Sequence, residues 1–133
     1  MAGSIIIQNG KSEDVNAVKR TETFTGDVWS QMVHASGNVA MGTNTFMPCS
    51  RTHWHTHEGG QMLHVTSGTG WICDKGERPR RIKAGDVIWA EPGTTHWHGA
   101  DNNSFMVHLA LGIGKTTWHE EVVDDLYSSG GSN

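Results

Sequence analysis

Three histidines, His53, His55 and His57, alternate with other residues along one short segment of the chain. In a β-strand, alternate side chains lie on the same face, so the three imidazoles would share a face and Trp54 would lie on the opposite one. Neutral imidazole nitrogens bind divalent transition metals at about 2.0–2.2 Å. Two glycines follow, and then Gln61, whose amide oxygen can serve as a neutral fourth ligand. The segment therefore predicts a metal site on a strand face.

Two further strand patterns carry histidine. His96 and His98 would share one face of a strand, with Trp97 on the other. Further along, His108 shares a face with the small residue Ala110, opposite a bulky apolar face. If the bulky face packs in a core, His108 points into the lumen of a barrel. The bulky face comprises Phe105, Val107, Leu109 and Leu111.

The composition supports such a site within one small domain. The chain has 133 residues, and seven of its nine histidines lie between His53 and His108, far from either end. Histidine in this excess favours a metal or proton-transfer site. The formal net charge of −4 argues against nucleic acid, whose binding proteins usually carry a basic face.

Nothing in the sequence indicates a membrane or an oxidising compartment. No apolar run approaches the roughly 20 residues of a membrane span, and no secretory signal pattern is recognisable. The two cysteines, Cys49 and Cys73, form no Cys-x-x-Cys motif. We therefore expect a cytoplasmic protein that binds neither nucleic acid nor a membrane.

Short β-compatible segments, separated by Gly, Pro, Asn and Asp, fill the middle of the chain. Their spacing of about 8–12 residues predicts an all-β sandwich or barrel. The predicted strands cover residues 39–46, 51–57, 61–66, 71–73, 80–83, 87–90, 94–98 and 104–111.

The end of the sequence predicts one helix. Thr117 and Glu120 fit a capping box, and Trp118, Val122 and Leu126 recur at four-residue spacing on one helical stripe. The chain is accordingly divided into three parts. Residues 1–20 form an N-terminal arm or exchanged strand, residues 21–127 form the domain, and residues 128–133 form a disordered tail.

Two motifs in the chain resemble those of the cupin family. The first family motif reads Gly-x5-His-x-His-x3/4-Glu-x6-Gly, and the second reads Gly-x5-Pro-x-Gly-x2-His-x3-Asn. The resemblance implies a cupin jelly-roll barrel. The matching residues are His55, His57, Gln61 and Gly68 in the first motif, and Gly85, Gly93 and His96 in the second.

Four positions depart from these motifs. Cys49 replaces the leading Gly of the first motif, and Gln61 replaces its Glu; Pro92 lies one place late in the second motif, and Ala100 replaces its Asn. The Gln matters most, because three imidazoles and an amide leave a divalent ion its full +2 charge. Such an ion is a better Lewis acid, and holds anions better, than one bound by Glu.

The chain is similar, over most of residues 20–127, to the small bacterial cupins that have hydroxynitrile lyase activity. The resemblance implies one divalent metal ion per chain, most often Mn, with His98 and His108 beside it as catalytic residues. Imidazole and amide ligands also suit Fe, Zn, Ni or Co. The implied metal ligands are His55, His57, Gln61 and His96.

The leading hypothesis is a metal-dependent lyase for a small hydroxy or carbonyl compound, which cleaves and forms cyanohydrins such as mandelonitrile. His98 or His108 would take the hydroxyl proton. Three alternatives stay open. The same Lewis acid suits a decarboxylase, isomerase or polyketide-tailoring cyclase. With ferrous iron at the same site, the protein would be a dioxygenase that uses oxygen. If it catalyses no reaction, it would be a module that binds a small metabolite.

The remaining histidines receive structural interpretations. His53 is expected at the rim of the site. His64 lies three residues after Gln61 and therefore on the opposite strand face. We expect it to have a structural role or to lie in a subunit contact, and we expect the same of His34 and His119. Barrels of this kind pair through their first strands, and we expect a homodimer or homotetramer in which residues 5–7 take part. Core or interface positions are expected for Trp54, Trp71, Trp89 and Trp97.

Overall fold

A computed structural model describes residues 2–11 and 16–130. In these ranges the chain forms twelve β-strands, paired antiparallel, one turn of 3-10 helix (Gln8–Gly10) and one short α-helix, so the predicted all-β class is confirmed. The strands are β1 (Val18–Arg20), β2 (Phe24–Thr25), β3 (Val28–Ser36), β4 (Val39–Phe46), β5 (Arg51–Thr52), β6 (His55–His57), β7 (Gln61–Asp74), β8 (Arg80–Lys83), β9 (Val87–Ala90), β10 (Thr95–Ala100), β11 (Met106–Ile113) and β12 (Thr116–Trp118), and the helix is α1 (Asp124–Ser129).

The 14-residue strand β7 belongs to both layers of the barrel. Its first half pairs with β11 and β9, and its second half pairs with β10 and β8. The first layer continues from β11 through β4 and β3 to β1, and the second from β10 through β5 to β2. Strand β6 joins β10 to β12 at the rim of the second layer. The two layers enclose a nearly closed jelly-roll barrel, as predicted.

Gly68 lies where β7 passes from one layer to the other. Its φ is +78°, in the left-handed region that favours glycine, and a Cβ at this position would overlap the carbonyl oxygen of Phe105. Phe105 leads directly into β11, so the strand that carries His108 runs past Gly68 at close range. This steric requirement accounts for the glycine that ends the first sequence motif.

The barrel interior is divided between apolar and histidine side chains. Phe46 lies at the boundary, where its ring centroid is 5.1 Å from that of His108 and 6.0 Å from that of His98. Burial of this apolar set removes the barrel interior from water and stabilises the fold. The buried apolar residues are Val28, Phe46, Leu63, Val65, Ile72, Ile82, Ala100, Met106 and Ala110.

A second apolar cluster covers the outer face of the second layer, beneath α1. Trp54 and Trp97 belong to it, which confirms that their indoles face away from the histidines. Tyr127 anchors the helix, because its hydroxyl donates a 2.6 Å hydrogen bond to the carbonyl oxygen of Ala100. Trp89 does not join the cluster and is 49% exposed. The buried members are Trp54, Trp71, Cys73, Trp97, Val122 and Tyr127.

The start of the C-terminal helix was predicted wrongly. Residues 116–118 form β12, which pairs with β6, and helix α1 begins only at Asp124. The residue that caps the helix is Val123, which makes no side-chain capping bond. The ladder with β6 satisfies the backbone around Thr117, so the apparent capping box does not act as one. The helix extends through Ser129, and residues 131–133 lie outside the described ranges.

Two strand predictions also needed correction. The predicted strand 51–57 is split into β5 and β6, because the backbone amides of His53 and Trp54 donate to Thr23 and Glu120. In β11 the bulky side chains Val107, Leu109 and Leu111 face outward and are half-buried. Met106, His108 and Ala110 face the barrel interior instead. His108 therefore points inward, as expected, but the bulky face of the strand does not form the core.

Part of the predicted N-terminal arm forms a strand within the same chain. Strand β1 pairs with β3, while Ile5 and Ile6 are 66% and 86% exposed. The homodimer or homotetramer stays a prediction. No helix of the described residues is long and apolar enough to cross a membrane.

We expect Gly68→Ala to destabilise the barrel far more than Gly76→Ala. Both glycines have positive φ, so either alanine should lower the free energy of unfolding by about 1–2 kcal/mol through backbone strain. Only Gly68 meets a neighbouring backbone, since a Cβ at Gly76 has nothing within 4 Å. The total loss for Gly68→Ala should reach about 4 kcal/mol or more. Urea unfolding of both variants measures the difference, and equal midpoints would contradict this account of Gly68.

Candidate metal centre

Six buried polar side chains meet inside the barrel, and all six were predicted as site residues from the sequence. They come from four strands: two each from β6 and β10, and one each from the start of β7 and the middle of β11. Each is at most 9% exposed, and they are His55, His57, Gln61, His96, His98 and His108. The strand alternation predicted from the sequence is therefore confirmed for the inward faces of these strands.

The four predicted ligands lie close together. The ring centroid of His55 is 4.7 Å from that of His96 and 5.1 Å from that of His57, and the rings of His57 and His96 are 6.3 Å apart. Gln61 reaches the same point, because its Oε1 atom is 3.0 Å from Nε2 of His96. Three imidazoles and one amide oxygen thus face one small volume.

Hydrogen bonds fix two of the rings in an orientation that suits a ligand. Nδ1 of His55 is 2.9 Å from the carbonyl oxygen of His53. Because a carbonyl only accepts, this nitrogen carries the proton and donates, which leaves a lone pair on Nε2 of His55. Nδ1 of His57 is likewise 3.1 Å from the hydroxyl of Thr116. His53 contributes its backbone carbonyl oxygen to this arrangement, whereas its half-buried side chain lies outside the group of six side chains.

Several ring nitrogens in the site are buried but have no hydrogen-bond partner among the described residues. A buried polar atom without a partner costs about 1–3 kcal/mol. A divalent ion would satisfy a lone pair of this kind on a ligand ring such as that of His57, and the donor set of imidazoles and amide is one that such ions accept. The residues therefore fit a metal ion. The unpartnered atoms are Nε2 of His57, Nδ1 of His96, Nε2 of His98 and Nδ1 of His108.

A compact trio of candidate metal-ligating histidines in the described part of the chain differs by one residue from the three histidines predicted as ligands. One ligand atom each from His55, His96 and His98 lie within 4.8 Å of one another. Two of these three were predicted as ligands, whereas His98 was predicted as a catalytic residue. His55 and His96 belong to both sets, so they are the firmest candidates.

His98 and His108 form a hydrogen-bonded pair beside the ligand group. Nε2 of His108 is 3.0 Å from Nδ1 of His98, and the ring centroids are 4.8 Å apart. The backbone of His98 is held in turn, because its amide donates to the hydroxyl of Thr52 at 3.3 Å. One proton lies between the two rings, so the tautomer of one imidazole determines the tautomer of the other.

Burial keeps the imidazoles uncharged. It lowers the pKa of His96 to about 4 and that of His108 to about 4. Burial, with neighbouring imidazoles adding to it, holds the pKa of His55 and of His98 well below the ordinary range. The pKa of His57 is also lowered by burial. All five rings are neutral at pH 7, which is the form that binds metal and accepts protons.

A cavity of about 410 Å³ leads to this group from the open end of the barrel. His57 and Gln61 lie on its wall, together with the apolar side chains of Phe24, Met32 and Trp118. The Trp118 ring centroid is 4.7 Å from that of His55 and 5.7 Å from that of Phe24. Sequence analysis missed Trp118 as a site residue because it assigned the residue to a helix.

The remaining predicted histidines lie apart from the site. His64 is half-buried on the outward face of β7, as its spacing from Gln61 predicted. Nε2 of His119 is 3.0 Å from the hydroxyl of Thr56, on the side of β6 that faces away from the ligands. His34 lies near the end of β3.

Comparison with known proteins agrees with this architecture. The chain matches the model of the cupin domain family over residues 43–112, which is more than half of its length. It is 46% identical over 93 residues to (R)-mandelonitrile lyase of Granulicella tundricola, covering 67% of this chain and 71% of that protein. A cupin-like protein of Thermotoga maritima superimposes with a TM-score of 0.79 at 30% identity, covering 99% of this chain and 100% of the other.

More distant structures share the fold alone. A predicted oxalate decarboxylase of Thermotoga maritima has a TM-score of 0.71 at 20% identity, with 84% of this chain and 100% of the other covered. A polyketide cyclase of Streptomyces resistomycificus has a TM-score of 0.68 at 15% identity, with 96% and 92% covered.

The chain belongs to the cupin family. Its histidine cluster, its barrel and its 46% identical relative together fit a metal-dependent cupin enzyme.

We expect the purified protein to hold close to one first-row divalent ion per chain, and the His55→Ala, His96→Ala double variant to hold none. These two residues belong to both candidate ligand sets. Elemental mass spectrometry measures the metal content. His64→Ala is the matched control, since it removes an imidazole from the opposite face of β7 and should leave the metal in place.

Single variants then separate the two ligand sets. If the predicted ligands hold the ion, His57→Ala should lower metal content and His98→Ala should not. The reverse result would favour the compact trio of His55, His96 and His98. Equal metal content in the double variant and in the parent protein would contradict a metal site at this cluster.

Proposed function

We propose that the protein is a metal-dependent cupin lyase that cleaves cyanohydrins such as mandelonitrile to an aldehyde and hydrogen cyanide, and catalyses the reverse addition. The observation that carries the proposal is the hydrogen-bonded His98–His108 pair, buried beside a neutral ligand group that an open cavity reaches at His57 and Gln61. The relative named (R)-mandelonitrile lyase supports this choice of reaction.

We propose His55, His57, Gln61 and His96 as the ligands of one divalent ion, with Mn as the leading candidate. An ion in this position supplies Lewis-acid polarisation of a substrate hydroxyl oxygen. All four ligands are uncharged, so they do not reduce the ion's +2 charge as a carboxylate would. Gln61, which stands where the family motif has Glu, is the residue responsible for this difference.

His98 is proposed as the group that takes the hydroxyl proton. When Nδ1 of His98 carries a hydrogen and donates it to Nε2 of His108, Nε2 of His98 holds a lone pair. That nitrogen is buried and has no partner within the described residues, so it can accept the substrate proton. His108 is proposed to select this tautomer and to hold the ring in place.

The reaction balances with these groups. The hydroxyl proton moves to Nε2 of His98, the bond between the carbinol carbon and the nitrile carbon breaks, and its electron pair leaves with cyanide. The carbon–oxygen double bond of the aldehyde forms at the same time. The proton held by His98 then passes to cyanide and gives hydrogen cyanide, which restores the neutral imidazole.

Replacement of His108 should reduce catalysis and spare the metal. We expect His108→Ala to lower kcat for mandelonitrile cleavage by about 10²–10⁴-fold, because His98 then loses the partner that fixes its tautomer and orientation, and a correctly positioned base contributes about that much. Elemental analysis of the same samples should show unchanged metal content. His64→Ala serves as control and should retain full activity. Release of cyanide from mandelonitrile at pH 5–6 gives the rate.

Two results would count against the proposal. Parallel loss of metal and activity in His108→Ala would make His108 a ligand rather than a partner of His98. Absence of cyanide release by the metal-loaded parent protein, with aromatic and aliphatic cyanohydrins alike, would reject the lyase reaction. Oxygen uptake by the iron-loaded protein would then point to a dioxygenase.

A further inference from the structure

The wall of the cavity carries hydrogen-bond donors but no carboxylate among the described residues. Arg20 is the one side chain with a formal charge on the described part of this wall. A cavity that places a guanidinium at its mouth, and neutral imidazoles at its base, has an excess of positive potential. Low-dielectric walls concentrate such a potential and raise the local concentration of anions.

The strand register shows that Arg20 is turned toward the cavity. In the ladder of β1 with β3, Arg20 lies opposite Val28, which is fully buried inside the barrel. Its neighbour Lys19 lies opposite Trp29 on the outer face, and the ammonium group of Lys19 is 2.9 Å from the carboxylate of Asp27. Arg20 forms no ion pair with any residue in the described ranges. Within these ranges its exposed guanidinium meets no carboxylate that would compete with a ligand.

A second donor lies between Arg20 and the histidines. The hydroxyl of Ser30 donates a 2.5 Å hydrogen bond to Oδ1 of Asn44. With its oxygen accepting from Ser30, Asn44 has its amide N–H groups to donate to the cavity, which both residues line. Asn44 is opposite His108 in the ladder of β4 with β11, so its side chain lies on the inward face.

We propose that this cavity binds small hydroxy or keto compounds that carry a carboxylate, and that Arg20 selects for the carboxylate. The guanidinium pairs with the two carboxylate oxygens, Asn44 donates to the ligand from β4 of the same layer, and the α-oxygen of the ligand reaches the histidine cluster. The inference rests on the proposed function in placing that oxygen at the histidines. It goes further by adding an anionic class of ligand to the neutral cyanohydrins of the proposed function.

Mandelate and mandelamide test the charge, because they share one skeleton and differ in the carboxylate. Binding of each to metal-loaded protein is measured by calorimetry for the parent, Arg20→Gln and Lys19→Gln. Arg20→Gln should weaken mandelate binding about tenfold, which corresponds to one charge-assisted hydrogen-bonding group, and should leave mandelamide unchanged. Lys19→Gln removes the same charge from the outer face and should leave both ligands unchanged.

Salt and a second variant add independent readouts. Raising the ionic strength from 0.05 to 0.3 M, which shortens the screening length about 2.4-fold, should weaken mandelate binding in the parent but much less in Arg20→Gln. Asn44→Asp replaces donors with a carboxylate of the same shape, and it should weaken mandelate binding more than mandelamide binding.

Failure of this inference is separable from failure of the lyase reaction. Equal mandelate affinity in the parent and in Arg20→Gln, or equal losses in Arg20→Gln and Lys19→Gln, would overturn the role of Arg20 even if mandelonitrile is cleaved. A selective loss in Arg20→Gln supports the anion site even if no cyanide is released.

Discussion

The structure depends on keeping five imidazoles uncharged, beside one neutral amide, inside a largely apolar barrel. Charging an imidazole in that position would strip the charge of its hydration, so burial lowers the pKa of each ring. Neutral rings still need partners for their nitrogens, and several of these atoms have none among the described residues. These unpartnered buried nitrogens destabilise the polypeptide alone, but they provide lone pairs that can bind a cation.

The rest of the barrel holds these groups in register. Strand β10 is the central element, because it carries His96 and His98 inward and the fully buried Trp97 outward. The outward residues of this layer pack beneath α1, and the hydroxyl of Tyr127 is bonded to the last residue of β10. A helix on the outer surface thus stabilises the strand that carries two of the functional histidines. In this way, side chains outside the site determine its geometry.

Much of the site could be predicted from alternation alone, because a strand side chain has two possible directions. His55 and His57 share the inward face of one strand, and His96 and His98 share that of another, as their spacing implied. Alternation could not identify which face is the interior of the barrel in β11, where the bulky residues turned out to face outward. The resemblance to cupins supplied that direction through the histidines.

Contacts between strands that are distant in sequence could not be predicted from the sequence patterns. Trp118 has a helical spacing with Val122, yet pairing with β6 places its ring against His55. Similarly, Arg20 belongs to a polar segment that resembled a loose arm, and only the ladder of β1 with β3 turns it toward the cavity. Both residues are positioned by long-range strand pairing, which local propensity does not encode.

The central claim is that the buried histidine cluster is a metal centre with a neutral ligand set. The most direct measurement is a crystal structure of the Mn-loaded protein, with diffraction recorded on both sides of the Mn absorption edge. The account predicts one anomalous peak inside the barrel, about 2.0–2.3 Å from nitrogens of His55, His57 and His96 and from Oε1 of Gln61. A barrel interior without an anomalous peak, in crystals grown with excess Mn, would contradict it.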